Sequence, residues 1–166
     1  MAHSSGFIDS AYRYLQPVIA HRGASAQAPE NTLAAFNLAI QQGARWLETD
    51  VCLTADGHAV LFHDEKLDRC SNGKGWLLQH NLSELKKLDA GSWFNAAFAN
   101  EQIPTLSELV AMAEQKDIGL NLEIKPVIGR EAETVWAISK VLDSMRVHIP
   151  ILLSSFNPLA LKAAQE

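Results

Sequence analysis

Cysteine is scarce in this sequence: Cys52 and Cys70 are the only two among 166 residues. They form no CxxC pair, which argues against a disulfide framework or a zinc site. Basic residues are also few. Lys and Arg number 14 against 19 Asp and Glu, for a net charge of −5. No basic cluster stands out, so the electrostatic footprint of a nucleic-acid binder is missing. No apolar run reaches the ~18 residues of a membrane span. The opening stretch MAHSSGFIDSAYRYLQP lacks the apolar centre of a signal peptide, and the expected location is cytoplasmic. Internal repeats and low-complexity segments are absent too.

What remains is an ordinary soluble composition, 48% hydrophobic and 20% charged. It excludes a disordered, collagen-like or coiled-coil chain. The length suits one domain with a sizeable core. Short apolar strands alternate with amphipathic helices. Strands are predicted at 17–21, 46–53, 58–63, 119–125 and 150–155. Helices are predicted at 31–42, 105–116 and 131–145, with another beginning at 158. Asn31 or Thr32 can cap the first helix. Thr105 and Glu108 have capping-box spacing before the second. Asp56-Gly57 marks a turn. It leaves two readings for strands 46–53 and 58–63, a hairpin or a parallel pair. The stretch 64–103, rich in Gly, Trp and Asn, breaks the rhythm and reads as an insertion with one short helix at 83–88. Strand–helix alternation predicts a parallel sheet with right-handed crossovers.

The strand faces carry the chemistry. Residues two apart in a strand share a face. Glu48 and Asp50 therefore face one way, and Leu47, Val51 and Leu53 the other. Asn121, Glu123 and Lys125 likewise oppose Leu120, Leu122 and Ile124. Burying unpaired charge costs several kcal/mol, and both faces of a parallel sheet are normally covered. Glu48, Asp50 and Glu123 are thus candidate ligands of a hard cation, Mg2+ or Ca2+. A solvated or salt-bridged set of acids is the competing reading.

His21 and His63 close the first and third predicted strands. Ligands bind at the carboxyl ends of strands in parallel α/β folds, so these two form a candidate acid/base pair. His3, His58, His80 and His148 read as packed or surface residues. Arg22 and Lys125 place positive charge beside the acids, and Gly23 permits close backbone approach or a tight turn. A metal, two histidines and two cations point to metal-assisted hydrolysis of a phosphate ester. The residues alone do not name the substrate.

The segments HRGASAQAPENTLAAF (21–36), ETDVCLTADGHAVLFHDEKLDR (48–69) and NLEIKP (121–126) resemble, in order, the signatures of the glycerophosphodiester phosphodiesterase family, bacterial cytoplasmic type. SNGKG (71–75), LDAGSW (88–93), IPTLSEL (103–109) and LSSF (153–156) extend the likeness from Val18 to Phe156. The resemblance implies a TIM (β/α)8 barrel with a small insertion after the third strand. It implies hydrolysis of glycerophosphodiesters, such as glycerophosphocholine or glycerophosphoethanolamine, to glycerol 3-phosphate and an alcohol. Position by position, it implies His21 and His63 as the acid/base pair. It implies Glu48, Asp50 and Glu123 as metal ligands, and Arg22 and Lys125 as phosphate contacts. Glu30 and Asn31 fall in the first signature and are assigned to organising the first helix start. Three carboxylates, a divalent cation and a phosphodiester total about −2, which Arg22 and Lys125 offset.

Two other functions stay open. One is a non-catalytic barrel that binds glycerol phosphate. The other is a lysophospholipase D-like enzyme, with Trp76, Leu77, Leu78, Trp93, Phe94 and Phe98 lining an acyl groove. Such residues more often form the core of the insertion itself. A TIM barrel typically needs ~250 residues and eight strands. With about five strands in 166 residues, the expectation is one barrel domain over 1–166, incomplete at its C-terminus, with 64–103 as a subdomain inside it. Its first and last strands would present open edges and invite self-association.

Overall fold

The computed structural model describes residues 18–165, so Pro17, His3 and Glu166 lie outside the described residues. The five strands are β1 (Ala20–His21), β2 (Trp46–Leu53), β3 (Ala59–Leu61), β4 (Gly119–Ile124) and β5 (Ile151–Ser154). The α-helices are α1 (Leu33–Gln41), α2 (Leu82–Leu85), α3 (Leu106–Lys116), α4 (Glu131–Met145) and α5 (Pro158–Ala163).

The helix starts follow local chemistry. Thr32 caps α1 by accepting from the Ala35 N–H at 3.3 Å. Thr105 and Glu108 form the capping box of α3, in which each satisfies a backbone N–H that the helix leaves free. The helix ends in a left-handed residue, Asp117.

β1, β2, β4 and β5 run parallel in the spatial order β1-β2-β4-β5. β3 is the exception. It pairs antiparallel with β2, so the Asp56-Gly57 turn makes a hairpin. Gly57 takes φ +79°, a conformation that glycine adopts without steric cost. The hairpin returns along the edge of β2 that β1 uses lower down. Arg22 N donates to the Glu48 carbonyl at 3.0 Å, and Phe62 N to the Asp50 carbonyl at 3.1 Å. On the opposite edge Lys125 N donates to the Val51 carbonyl at 3.0 Å. His63 therefore reaches the strand ends from an antiparallel strand, and not from the carboxyl end of a parallel one.

One sheet face is apolar. Leu47, Val51, Leu120, Leu122 and Ile124 pack in one buried cluster with Phe36, Leu106, Leu109, Val110 and Ile138. Burying each large side chain contributes roughly 1.5–3 kcal/mol, so this face binds the helices to the sheet. A second cluster unites Cys52, Val60 and Phe62 of the hairpin with Leu67, Cys70, Leu77, Leu85, Ala90 and Ile103. It anchors the 64–103 stretch beside the carboxyl ends of the parallel strands. α2 spans 82–85, shorter than predicted, because the chain leaves the helix at Lys86.

Candidate active site

The polar sheet face holds the three acids. Register places Asp50 beside Glu123 and Glu48 beside Asn121 across the β2–β4 pair. One carboxylate oxygen from each of Glu48, Asp50 and Glu123 lies within 4.8 Å of the others. Glu48 Oε1 and Asp50 Oδ1 are buried without a hydrogen-bond partner. Buried acceptors are rarely left so. Oxygen donors on three converging carboxylates fit a hard divalent cation, which would satisfy both orphaned atoms. Burial and the charges of Asp50 and Glu123 push the Glu48 carboxyl up to about 7. A bound cation reverses that pressure by favouring the ionised form.

Two cations border this cluster. Arg22 Nε lies 3.0 Å from Asp50 Oδ2. Lys125 Nζ sits 3.3 Å from Glu123 Oε1 and 3.7 Å from Asp50 Oδ1. Arg22 adopts φ +56°, held there by its N–H bond to the Glu48 carbonyl. Gly23 makes that turn possible. Its φ is +81°, and a Cβ there would meet the Ala35 carbonyl carbon at 2.6 Å.

His21 borders the acid cluster, and His63 lines one cavity with Glu123 and Lys125. His21 Nε2 is 3.8 Å from Glu48 Oε2, and its side chain is 65% exposed. His63 Nδ1 lies 2.7 Å from Asp64 Oδ1. Hydrogen bonds from Arg69 hold the Asp64 carboxyl down at about 2, against a smaller opposing effect of burial. Ionised Asp64 only accepts, so Nδ1 of His63 carries the proton and Nε2 is the atom left for chemistry. The remaining described histidines stay outside the cluster. His58 and His80 pair with Asp56 and Glu84, and exposed His148 pairs with Glu114.

Glu30 and Asn31 do more than start a helix. Thr32 performs the capping, which frees its two predecessors. Buried Asn31 donates from Nδ2 to Asp50 Oδ2 at 2.9 Å and accepts from Thr49 Oγ1 at 2.8 Å. Its φ of +57° aims the amide at β2. Glu30 accepts from Arg22 at 3.0 Å and from Arg69 through both oxygens. Asp64 and Arg69 complete a set that residue-by-residue reading misses. The available signal was a charged residue beside a candidate histidine.

Of the six proposed groove residues, Leu77 and Leu78 line a cavity of about 540 Å3 at the strand ends. His63, Glu123, Lys125 and Phe156 also line it. Trp93, Phe94 and Phe98 stack edge to face on one another and are not among its walls. No helix among the described residues is long and apolar enough to cross a membrane.

Fold and site together define a parallel α/β-sheet protein whose strand ends carry a carboxylate cluster flanked by cations and histidines. The chain belongs to the glycerophosphoryl diester phosphodiesterase family, whose profile matches residues 21–166. A glycerophosphodiester phosphodiesterase of Caldanaerobacter subterraneus subsp. tengcongensis is 46% identical over 149 residues, covering 87% of this chain and 60% of that protein. The structure of an Oleispira antarctica phosphodiesterase in complex with the product sn-glycerol-3-phosphate superposes with a TM-score of 0.90 and 50% identity. That match covers 93% of this chain and 63% of the other. Glycerophosphodiester phosphodiesterase 1 of Bos taurus is 37% identical over 143 residues, covering 84% of this chain and 42% of that protein. These relatives have TIM-barrel folds, and the chain spans about 60% of the length of the first two.

Proposed function

We propose that this chain carries the catalytic residues for metal-dependent hydrolysis of glycerophosphodiesters to glycerol 3-phosphate and an alcohol. The observation that carries this reading is the trio Glu48, Asp50 and Glu123, whose carboxylates converge within 4.8 Å, with one buried oxygen on Glu48 and one on Asp50 lacking a hydrogen-bond partner. A divalent cation, Mg2+ or Ca2+, held by these three would polarise a phosphoryl oxygen and stabilise charge developing on it. Arg22 and Lys125 bind the remaining phosphate oxygens. One of His21 and His63 takes the proton of the attacking oxygen as the new P–O bond forms. The other protonates the departing alkoxide as the old P–O bond breaks.

The test is release of glycerol 3-phosphate from glycerophosphocholine with Mg2+ or Ca2+, then with EDTA. Turnover abolished by EDTA is the expected result, and His21→Ala or His63→Ala removes most of it. Thermal stabilisation by glycerol phosphate and metal without turnover in a folded preparation overturns the reading in favour of a binding barrel. The cavity beside His63, walled by Leu77, Leu78 and Phe156, favours a second reading in which the substrate carries an acyl chain. Comparing lysophosphatidylcholine with glycerophosphocholine separates the two.

The same proposal extends to setting. The two thiols are free and buried, which suits a reducing cytoplasm. The 64–103 stretch acts as a subdomain that carries one wall of the site. The open edges of β1 and β5 mediate self-association.

A further inference from the structure

The guanidinium of Arg69 grips two carboxylates at once. Nε and Nη2 donate to Asp64 at 2.7 and 2.8 Å, and Nη1 and Nη2 donate to Glu30 at 2.8 Å each. Four charge-assisted bonds from one planar group fix both carboxylates in one frame. Each carboxylate then touches a candidate catalytic or phosphate-binding residue. Asp64 Oδ1 accepts from His63 Nδ1 at 2.7 Å, and Glu30 Oε1 accepts from Arg22 Nη1 at 3.0 Å. Arg22 in turn lies on Asp50.

The result is a continuous path His63–Asp64–Arg69–Glu30–Arg22–Asp50. It joins the loop after β1 to the segment after β3. These two pieces of chain reach the same edge of β2 from opposite directions, and β1 and β3 do not pair with each other. Something must set their separation, and Arg69 spans it. The Arg69 side chain is 46% exposed, reaches the cavity only through Asp64, one of its walls, and makes no hydrogen bond to Glu48, Asp50 or Glu123.

We infer that Arg69 is a positioning residue that locks His63 in its Nδ1–H tautomer through Asp64, using Glu30 as its anchor on the first loop. The inference rests on the proposed reaction, with His63 as its base. A lysine cannot replace Arg69, because a single ammonium lacks the fork that engages two carboxylates. Removing the fork lets Asp64 rotate away from His63. The Nε2–H tautomer then competes, and a fraction of His63 presents a proton where a lone pair is required.

The experiment has two readouts on the full chain with Mg2+. The first is imidazole 15N NMR of His63, assigned by its loss in His63→Ala. Wild type shows a single Nδ1–H tautomer, whereas Arg69→Met and Arg69→Lys show a mixture. The second is steady-state hydrolysis of glycerophosphocholine. Both variants lose ~10–100-fold in kcat with KM within about threefold of wild type. Arg69→Lys keeps the charge at this half-exposed site and serves if Arg69→Met does not fold. A mixed tautomer in wild type, or an unchanged tautomer in Arg69→Lys, overturns the inference even if no turnover is found. An altered tautomer with kcat unchanged also overturns it. Absence of wild-type turnover, with the tautomer result as expected, condemns the proposed hydrolysis and leaves the positioning contact supported.

Discussion

Glu48, a candidate metal ligand, is the residue whose protonation would couple stability to metal. Its carboxyl is raised from 4.5 to about 7, first by burial and then by the charges of Asp50 and Glu123. The folded chain therefore holds this proton more tightly than the unfolded chain. As pH rises from about 4.5, the unfolded state releases the proton first, and stability falls until the folded group ionises near 7. The loss is roughly 3 kcal/mol for a shift of this size. Metal-free wild type should melt on the order of 5–10 °C lower at pH 8 than at pH 5 from this group alone. Glu48→Gln should flatten that difference. Mg2+ or Ca2+ should raise the melting temperature more at pH 8 than at pH 5, because the cation binds the ionised form. Equal metal protection at both pH values would contradict the site.

Asn31 separates two effects at one position. Its amide orients Asp50 and satisfies Thr49, while its backbone sits at φ +57°. Asn31→Ala removes the hydrogen bonds and keeps the strain, at a cost of about 2–4 kcal/mol. Asn31→Gly also loses the bonds but relieves the backbone, so it should be about 1 kcal/mol more stable than Asn31→Ala. Both should weaken metal affinity ~10–100-fold, since the partner that aims a ligand carboxylate is gone. Chemical denaturation and a metal titration of the two variants check this. Wild-type metal affinity in Asn31→Gly would leave Asn31 a purely backbone role.

At the scale of elements, periodicity made most of the fold legible. α4 spans the predicted 131–145, and the Thr105–Glu108 box starts α3 where its spacing indicates. Both signals are local: a 3.6-residue apolar period and a cap three residues from its partner. The polar faces of β2 and β4 were legible for the same reason, because alternation fixes which side chains share a face. The pairing of β3 follows from chain length: only residues 54–57 separate the predicted strands 46–53 and 58–63, too few for the crossover of about a dozen residues that a parallel pair needs, so of the two readings only the hairpin fits. The partners of the site stayed hidden. Glu30, Asn31, Asp64 and Arg69 sit in loops, where no period exists, and their contacts span up to 39 residues of sequence.

At the scale of the whole molecule, the described residues hold four parallel strands where eight close a TIM barrel. The spatial order leaves the outer edges of β1 and β5 without a strand partner among the described residues. Unpaired backbone donors and acceptors at a sheet edge template further pairing. Apolar side chains accompany both edges. Val18 precedes β1 at 69% exposure, while Phe156 and Leu159 follow β5 at 92% and 62%. In a closed barrel each edge meets another parallel strand, and two copies of a four-stranded sheet supply eight. A polypeptide of these 166 residues should therefore self-associate with increasing concentration. Light scattering coupled to size exclusion should show mass rising above that of one 18.2 kDa chain. Leu159→Lys puts charge on the exposed face beside β5 and leaves the carboxylate cluster alone. It should shift the equilibrium toward monomer while preserving metal-dependent thermal protection. A monomer at every concentration, with an intact fold, would mean that the edges are closed some other way. Association unchanged by Leu159→Lys would move the contact to the β1 side, where Val18→Lys is the matching test.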